Sequence, residues 1–211
     1  MRKCVIAAAC CVNLLMMGAS LAPASPVSFN VIVNTAPLVG NANGPFSLDF
    51  QLNDGSGLGD GNNTVTLSNF RFGGGSAAGA PTHIGGATGN LASGISLTDT
   101  DFLNEFFQPL AVGTTLSFLV TMTRNVDAGL TPDLFSFAIL DNALFNIATT
   151  GLGDSLLLVN INNPALGVRD VQTYVSTNPA GVTVAAVPEP ATLTLVALSL
   201  AGLGFSRRGQ A

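Results

Sequence analysis

The residues "FSLDFQLND" (46–54) alternate strictly. Phe46, Leu48, Phe50 and Leu52 occupy one set of positions, and Ser47, Asp49, Gln51 and Asn53 the other. A period of two predicts a strand with one buried and one polar face. The same period runs through 27–36, where Val27, Phe29, Val31 and Val33 fall on one side. Further strands are predicted over 89–99, 114–124, 133–141 and 154–162, and 171–177 predicts one that pairs with an end strand. Over 63–72, Val65 and Leu67 give way to Phe70 and Phe72, one position out of phase. That slip predicts a β-bulge near Ser68-Asn69.

Turn chemistry separates these runs. "NDGSGLGDGNN" (53–63), "GGGSAAGAP" (73–81) and "NVDAGLTPD" (125–133) hold the Gly, Asn, Asp and Pro of loops. One stretch departs from the pattern. "TDTDFLNEFFQPL" (98–110) predicts a short helix capped by Thr98 or Thr100, with Phe102, Leu103 and Phe106 inward and Pro109 ending it. Asp99 and Asp101 would cap that helix and face its positive N-terminus. Several short strands with no long helical pattern predict an all-β body over 25–187. The expected architecture is an antiparallel β-sandwich, jelly-roll-like, with one short helix.

Composition narrows the function. Charged residues are 9% of the chain, against about 25% in ordinary soluble proteins. With 47% hydrophobic residues this is not the signature of disorder. Between residues 25 and 190 the bases are Arg71, Arg124 and Arg169; all twelve acids lie there, leaving a net −9. Such a body does not neutralise phosphates, which argues against a nucleic acid partner and an anionic membrane surface.

The two ends differ from the body. "MRKCVIAAACCVNLLMMGASLAPASPVSF" opens with Arg2 and Lys3, continues apolar from Val5 to Met17, and offers Ala22-Pro23-Ala24. This is the pattern of a secretory signal peptide over 1–24, cut between Ala24 and Ser25 by signal peptidase after passage through the export translocon. All three cysteines lie within the first eleven residues, so the mature chain would have none, which excludes disulfides and thiol chemistry.

At the other end stand Pro188-Glu189-Pro190, an uncharged run from Ala191 to Phe205, and Arg207-Arg208. Order and spacing resemble a PEP-CTERM sorting signal over 188–211, the tail of exported proteins in exopolysaccharide-producing Gram-negative bacteria. The resemblance implies processing near Pro-Glu-Pro by an exosortase, a membrane-embedded cysteine peptidase. The same tail is also described as an ice-binding protein C-terminal domain, but the body has no regular Thr-x-Thr array. Physical reasoning agrees with a transient anchor. Fifteen helical residues (191–205) rise only about 22 Å, short of a ~30 Å hydrocarbon core. The two arginines hold the C-terminus on the cytoplasmic side. The body is similar to PEP-CTERM proteins sharing "FSLDFQLNDGSGLGDGNNTVTLSNFRFGGG", "LTDTDFLNEFFQPL" and "PDLFSFAILD", a likeness that implies a β-rich exported domain and no established activity.

Catalytic chemistry finds little support. The single histidine, His83, lies in a Gly-rich loop without a G-x-S-x-G elbow, which is poor ground for a serine triad. Asp99, Asp101 and Glu105, or Asp141 with Asp154, could form carboxylate pairs, but there is no Trp and one Tyr to stack a sugar. The chain is expected not to be an enzyme. Calcium is the more serious candidate: Asp54, Asp60 and Asn62 are hard oxygen donors on one pliable loop, with Asp141 joining from another strand end. The spacing is not that of an EF-hand, and Asp, Asn and Gly are the commonest loop residues, so an ordinary turn with no cofactor is the leading expectation and calcium the alternative. The expected role is structural or adhesive, at the cell surface or in an exopolysaccharide biofilm matrix. The alternative is a carbohydrate-binding module, calcium-dependent or not, or a weak glycan-active enzyme.

Overall fold

The computed structural model describes residues 26–55, 59–125, 131–161 and 171–188. Fifteen strands follow in order: β1 (Val27–Asn34), β2 (Phe46–Asn53), β3 (Thr64–Arg71), β4 (Ser76–Ala77), β5 (Thr82–Ile84), β6 (Gly86–Asn90), β7 (Gly94–Thr98), β8 (Leu103–Ala111), β9 (Thr115–Met122), β10 (Leu134–Leu140), β11 (Ala148–Thr149), β12 (Leu157–Asn160), β13 (Val171–Thr173), β14 (Val175–Asn178) and β15 (Ala180–Pro188). They form two antiparallel sheets. One has the order β11-β14-β15-β1-β9-β3-β7-β6; the other β13-β12-β10-β2-β8-β4, with β5 also on β8. Successive long strands mostly alternate between the sheets, as in a jelly-roll-like sandwich.

The alternation read from the sequence is what closes the two sheets on each other. Phe29, Val31 and Val33 of β1 and Phe50 and Leu52 of β2 are buried between them. Phenylalanine carries the centre. Phe50 and Phe137 stack at 5.0 Å on one sheet, and Phe118 from the other meets both edge-on at 5.3 Å. Edge-to-face and offset pairs suit the ring quadrupole and add about 0.5–1.5 kcal/mol each beyond area burial. The bulge stands where the slip predicts it. Register shifts between Ser68 and Arg71, and Asn69 adopts φ +57°, a conformation Asn tolerates. Phe70 and Phe72 thereby turn towards the core.

The helix predicted over 98–110 is absent; β8 occupies most of that stretch. Asn104, Phe106, Gln108 and Leu110 are buried, and the residues between them half-buried. Two buried amides hide the period of two. Gln108 accepts from the Leu91 N–H and donates to the Gly79 carbonyl. Asn104 donates to the Leu52 carbonyl. Phe102, expected inside, is exposed. Pro109 ends nothing, because its carbonyl faces Ala78, in the gap between β5, which pairs with 105–107, and β4, which pairs with 110–111. No ladder N–H is needed there. The only helical turns among the described residues are 3-10 segments, Ala36–Leu38 and Leu152–Asp154. The run 89–99 is a hairpin, with a turn at 91–93 between β6 and β7. β15 and the short β4, β5 and β11 lie outside the predicted strands.

The two outer faces differ. On the first sheet Ile32, Asn34 and Thr66 are open to solvent. On the second, Ser47 and Asp49 of β2 and Ser136 and Ala138 of β10 are buried although they point away from the core. The segment between β10 and β12 lies over them. Its Asn146 amide donates to the Gly153 carbonyl (2.8 Å) and ties the cover together.

Candidate functional site

The loop proposed for calcium gathers at one end of the sandwich, and its surroundings explain its shape. Asp54, Asn63, Asp99 and Asp133 are fully buried there. Asn63 is the hub. Its N–H donates to both Asp99 oxygens (3.0 and 3.1 Å), and its side-chain amide donates to Asp133 (2.7 Å) and the Asn125 carbonyl (2.9 Å). Its Oδ1 accepts from Thr123 and from the Asn125 N–H. Asp133 also accepts from the Gly55 N–H, and Asp54 from the Gly59 N–H. Gly59 is required: at φ +62° a Cβ would lie 2.4 Å from the Thr100 carbonyl oxygen. Asp99 therefore staples two loops and caps no helix. Burial, and then Asp133 and Asp60 nearby, raise its pKa to about 7 against the pull of the Asn63 N–H.

Of the four predicted calcium ligands, Asp54, Asp60 and Asn62 share this end. Asp60 is turned to solvent and accepts from Asn62. Asp141 does not join them. It follows β10, whose first residue pairs with Asn53 and whose last pairs with Ser47, so it stands at the opposite end. There it accepts from the Ala143 and Phe145 N–H groups and closes its own turn. Among the described residues no three His, Cys, Asp or Glu side chains converge so as to hold a metal ion.

The sorting end is built differently. β15 runs antiparallel to β1 with Thr183–Pro188 opposite Asn34–Phe29, so the first proline of Pro188-Glu189-Pro190 is the last residue of a strand inside the sheet. Val27, just past the expected cleavage point at Ala24 and Ser25, opens β1 at that same end. Both terminal segments therefore join the body beside each other. The family description "PEP-CTERM protein-sorting motif" matches residues 186–208. The chain carries a PEP-CTERM sorting motif. It is thus an exported protein whose processing partner is an exosortase. No curated protein and no solved structure matches the chain. In this PEP-CTERM protein Ala24, Ser25, Glu189, Pro190, the expected span 191–205, Arg207 and Arg208 lie outside the described residues. Among the described residues no helix is long and apolar enough to cross a membrane.

His83 sits in β5, exposed; its Nε2 contacts the Gly89 carbonyl (2.8 Å) and its ring meets Phe106. Two buried acids carry little signal in the sequence pattern, Asp133 of the loop network and Asp49. Asp49 is 2% exposed on the covered face of the second sheet. The Gln51 amide nitrogen donates both to Asp49 Oδ2 (2.9 Å) and to Glu105 (3.1 Å), holding the two carboxyls close. Burial, and then the charge of Glu105, push Asp49 up to about 7. Asp49 Oδ1 has no hydrogen-bond partner. The signal was faint: one acid on the polar side of β2, 56 positions from a Glu that only the register brings near.

Proposed function

We propose that this PEP-CTERM protein is a non-enzymatic surface protein, released from a transient inner-membrane anchor into an exopolysaccharide or biofilm matrix, where its β-sandwich has a structural or adhesive role. The observation that carries this reading is the junction at Pro188. The body is folded up to the first residue of the motif, so a cut beyond it leaves the sandwich intact.

Comparing the mature mass and the matrix fraction in cells with and without exosortase tests the reading. The expected result is loss of the C-terminal peptide and appearance in the matrix only when the enzyme is present. A protein that keeps Ala211, or that stays with the membrane despite cleavage, overturns it.

A further inference from the structure

Beneath the segment linking β10 to β12 is a cavity of about 180 Å³ against the outer face of the second sheet. That is below the ~300–1,000 Å³ of sites for drug-sized ligands, so it admits one small unit. Its polar wall is Asp49, Gln51 and Asn53 from β2, Ser136 from β10, and Asn146 and Ser155 from the cover. Leu134, Leu158 and the exposed Leu152 supply the apolar side. Side-chain amides and hydroxyls on one side and aliphatic surface on the other suit a compact hydroxylated molecule.

Charge selects further. Asp49 is buried, reaches this wall, and leaves Oδ1 without a donor. An orphaned buried acceptor costs about 1–3 kcal/mol, more when charged, and a donor arriving with a ligand recovers it. From β8 the titratable neighbour is Glu105, a second acid; β10 offers Ser136 and Ala138, and the cover Asn146 and Ser155. No base lines this cavity, so once Asp49 is ionised the two carboxyls repel uronates, sulfates and phosphates and attract a cation. A metal ion is a poorer fit than an organic cation, because the Gln51 N–H lies between the carboxyls and the lining acids number one.

We propose that this cavity binds a protonated primary amine on a small hydroxylated frame, the chemistry of an amino sugar, with the ammonium at Asp49 and the hydroxyls on the surrounding amides and serines. The assignment rests on the reading that the body meets polysaccharide outside the cell. Because Asp49 is pushed up to about 7, an arriving ammonium displaces its proton, and binding at pH 6 releases protons to the buffer.

The test is calorimetric titration of the full chain in mild detergent with glucosamine, glucose and N-acetylglucosamine, at pH 6 in two buffers of different ionisation enthalpy. Expected are saturable glucosamine binding with proton release, and at least about tenfold weaker binding of the two neutral sugars. Asp49→Asn, close to isosteric, should lose glucosamine about tenfold. Leu152→Arg, at an exposed position that leaves folding alone, should do the same by placing a competing cation at the rim. Equal binding of all three sugars, no saturable binding, or undiminished binding by both variants overturns the proposal. Matrix retention is scored separately. If the parent protein partitions into the matrix while glucosamine does not bind it, the cavity assignment fails and the adhesive reading stands. Binding of glucosamine without matrix retention gives the reverse.

Discussion

Asp99 and Asp49 are both buried aspartates raised to about 7, and they are supplied very differently. Asp99 has both oxygens on the Asn63 N–H, within a loop network in which Asn63 also reaches Asp133 and Asn125. Asp49 has one amide, shared with Glu105, and one oxygen with nothing. Burial and like charge alone therefore do not distinguish a structural acid from a binding one. The donor inventory does: Asp99 and Asp133 have a donor on each oxygen and fix loops, while Asp49 keeps an unmet requirement that a ligand can meet.

Asn63→Ala attacks the saturated side at its hub and should have the largest effect. It strips the amide donors from Asp133 and Asn125 and an acceptor from Thr123, at a cost of about 3 kcal/mol in urea unfolding. A loss under about 1 kcal/mol would mean that solvent already serves these groups. The conservative pair then sets the two acids against each other. Asp99→Asn turns an NH2 towards the Asn63 N–H and should cost about 1 kcal/mol at pH 5.5. Asp49→Asn instead gives Glu105 a donor and removes a like charge, and should gain about 1 kcal/mol at pH 8. Equal signs in the two melts would erase the distinction.

The parent protein carries a smaller version of the same signal. Both carboxyls have folded pKa values near 7 against 3.8 unfolded, so between about pH 4 and 7 the folded state holds protons that the unfolded chain has released. Stability therefore falls as pH rises through that window, and Tm should be higher at pH 5.5 than at pH 8. Asp49→Asn should flatten part of that slope. The smallest expected effect is that of calcium. N–H donors occupy the buried carboxylates at the loop end, and Asp141 is at the far end of β10, so millimolar calcium or EDTA should shift Tm by less than about 1 °C. A rise of several degrees with calcium would show that the cluster rearranges to take an ion.

The sandwich was legible in the sequence because the strict alternation of Phe46 to Asn53 leaves a strand only one way to bury its apolar side. The bulge was legible for the same reason: Phe70 falls out of phase with Leu67. β8 was not, because Asn104 and Gln108 take core-facing positions and satisfy their amides on other segments, Asn104 on the Leu52 carbonyl and Gln108 on the Gly79 carbonyl and Leu91 N–H. Polar residues in the core are invisible to a hydrophobic pattern. The distance of Asp141 from Asp54, Asp60 and Asn62 was hidden on the same ground, since loop composition does not say at which end of a strand a loop lies. Asp49 needed the pairing of Gln51 with Glu105, which no local spacing encodes.

The pairing of β15 with β1 has a mechanical consequence. Any pull on the chain beyond Pro188 enters the body along the axis of β15, and six residue pairs, Thr183–Pro188 against Asn34–Phe29, lie in the line of load. Loaded that way the ladder is sheared, its hydrogen bonds resisting together rather than opening one after another as in a zipper. The protein is thus gripped at the point from which it hangs.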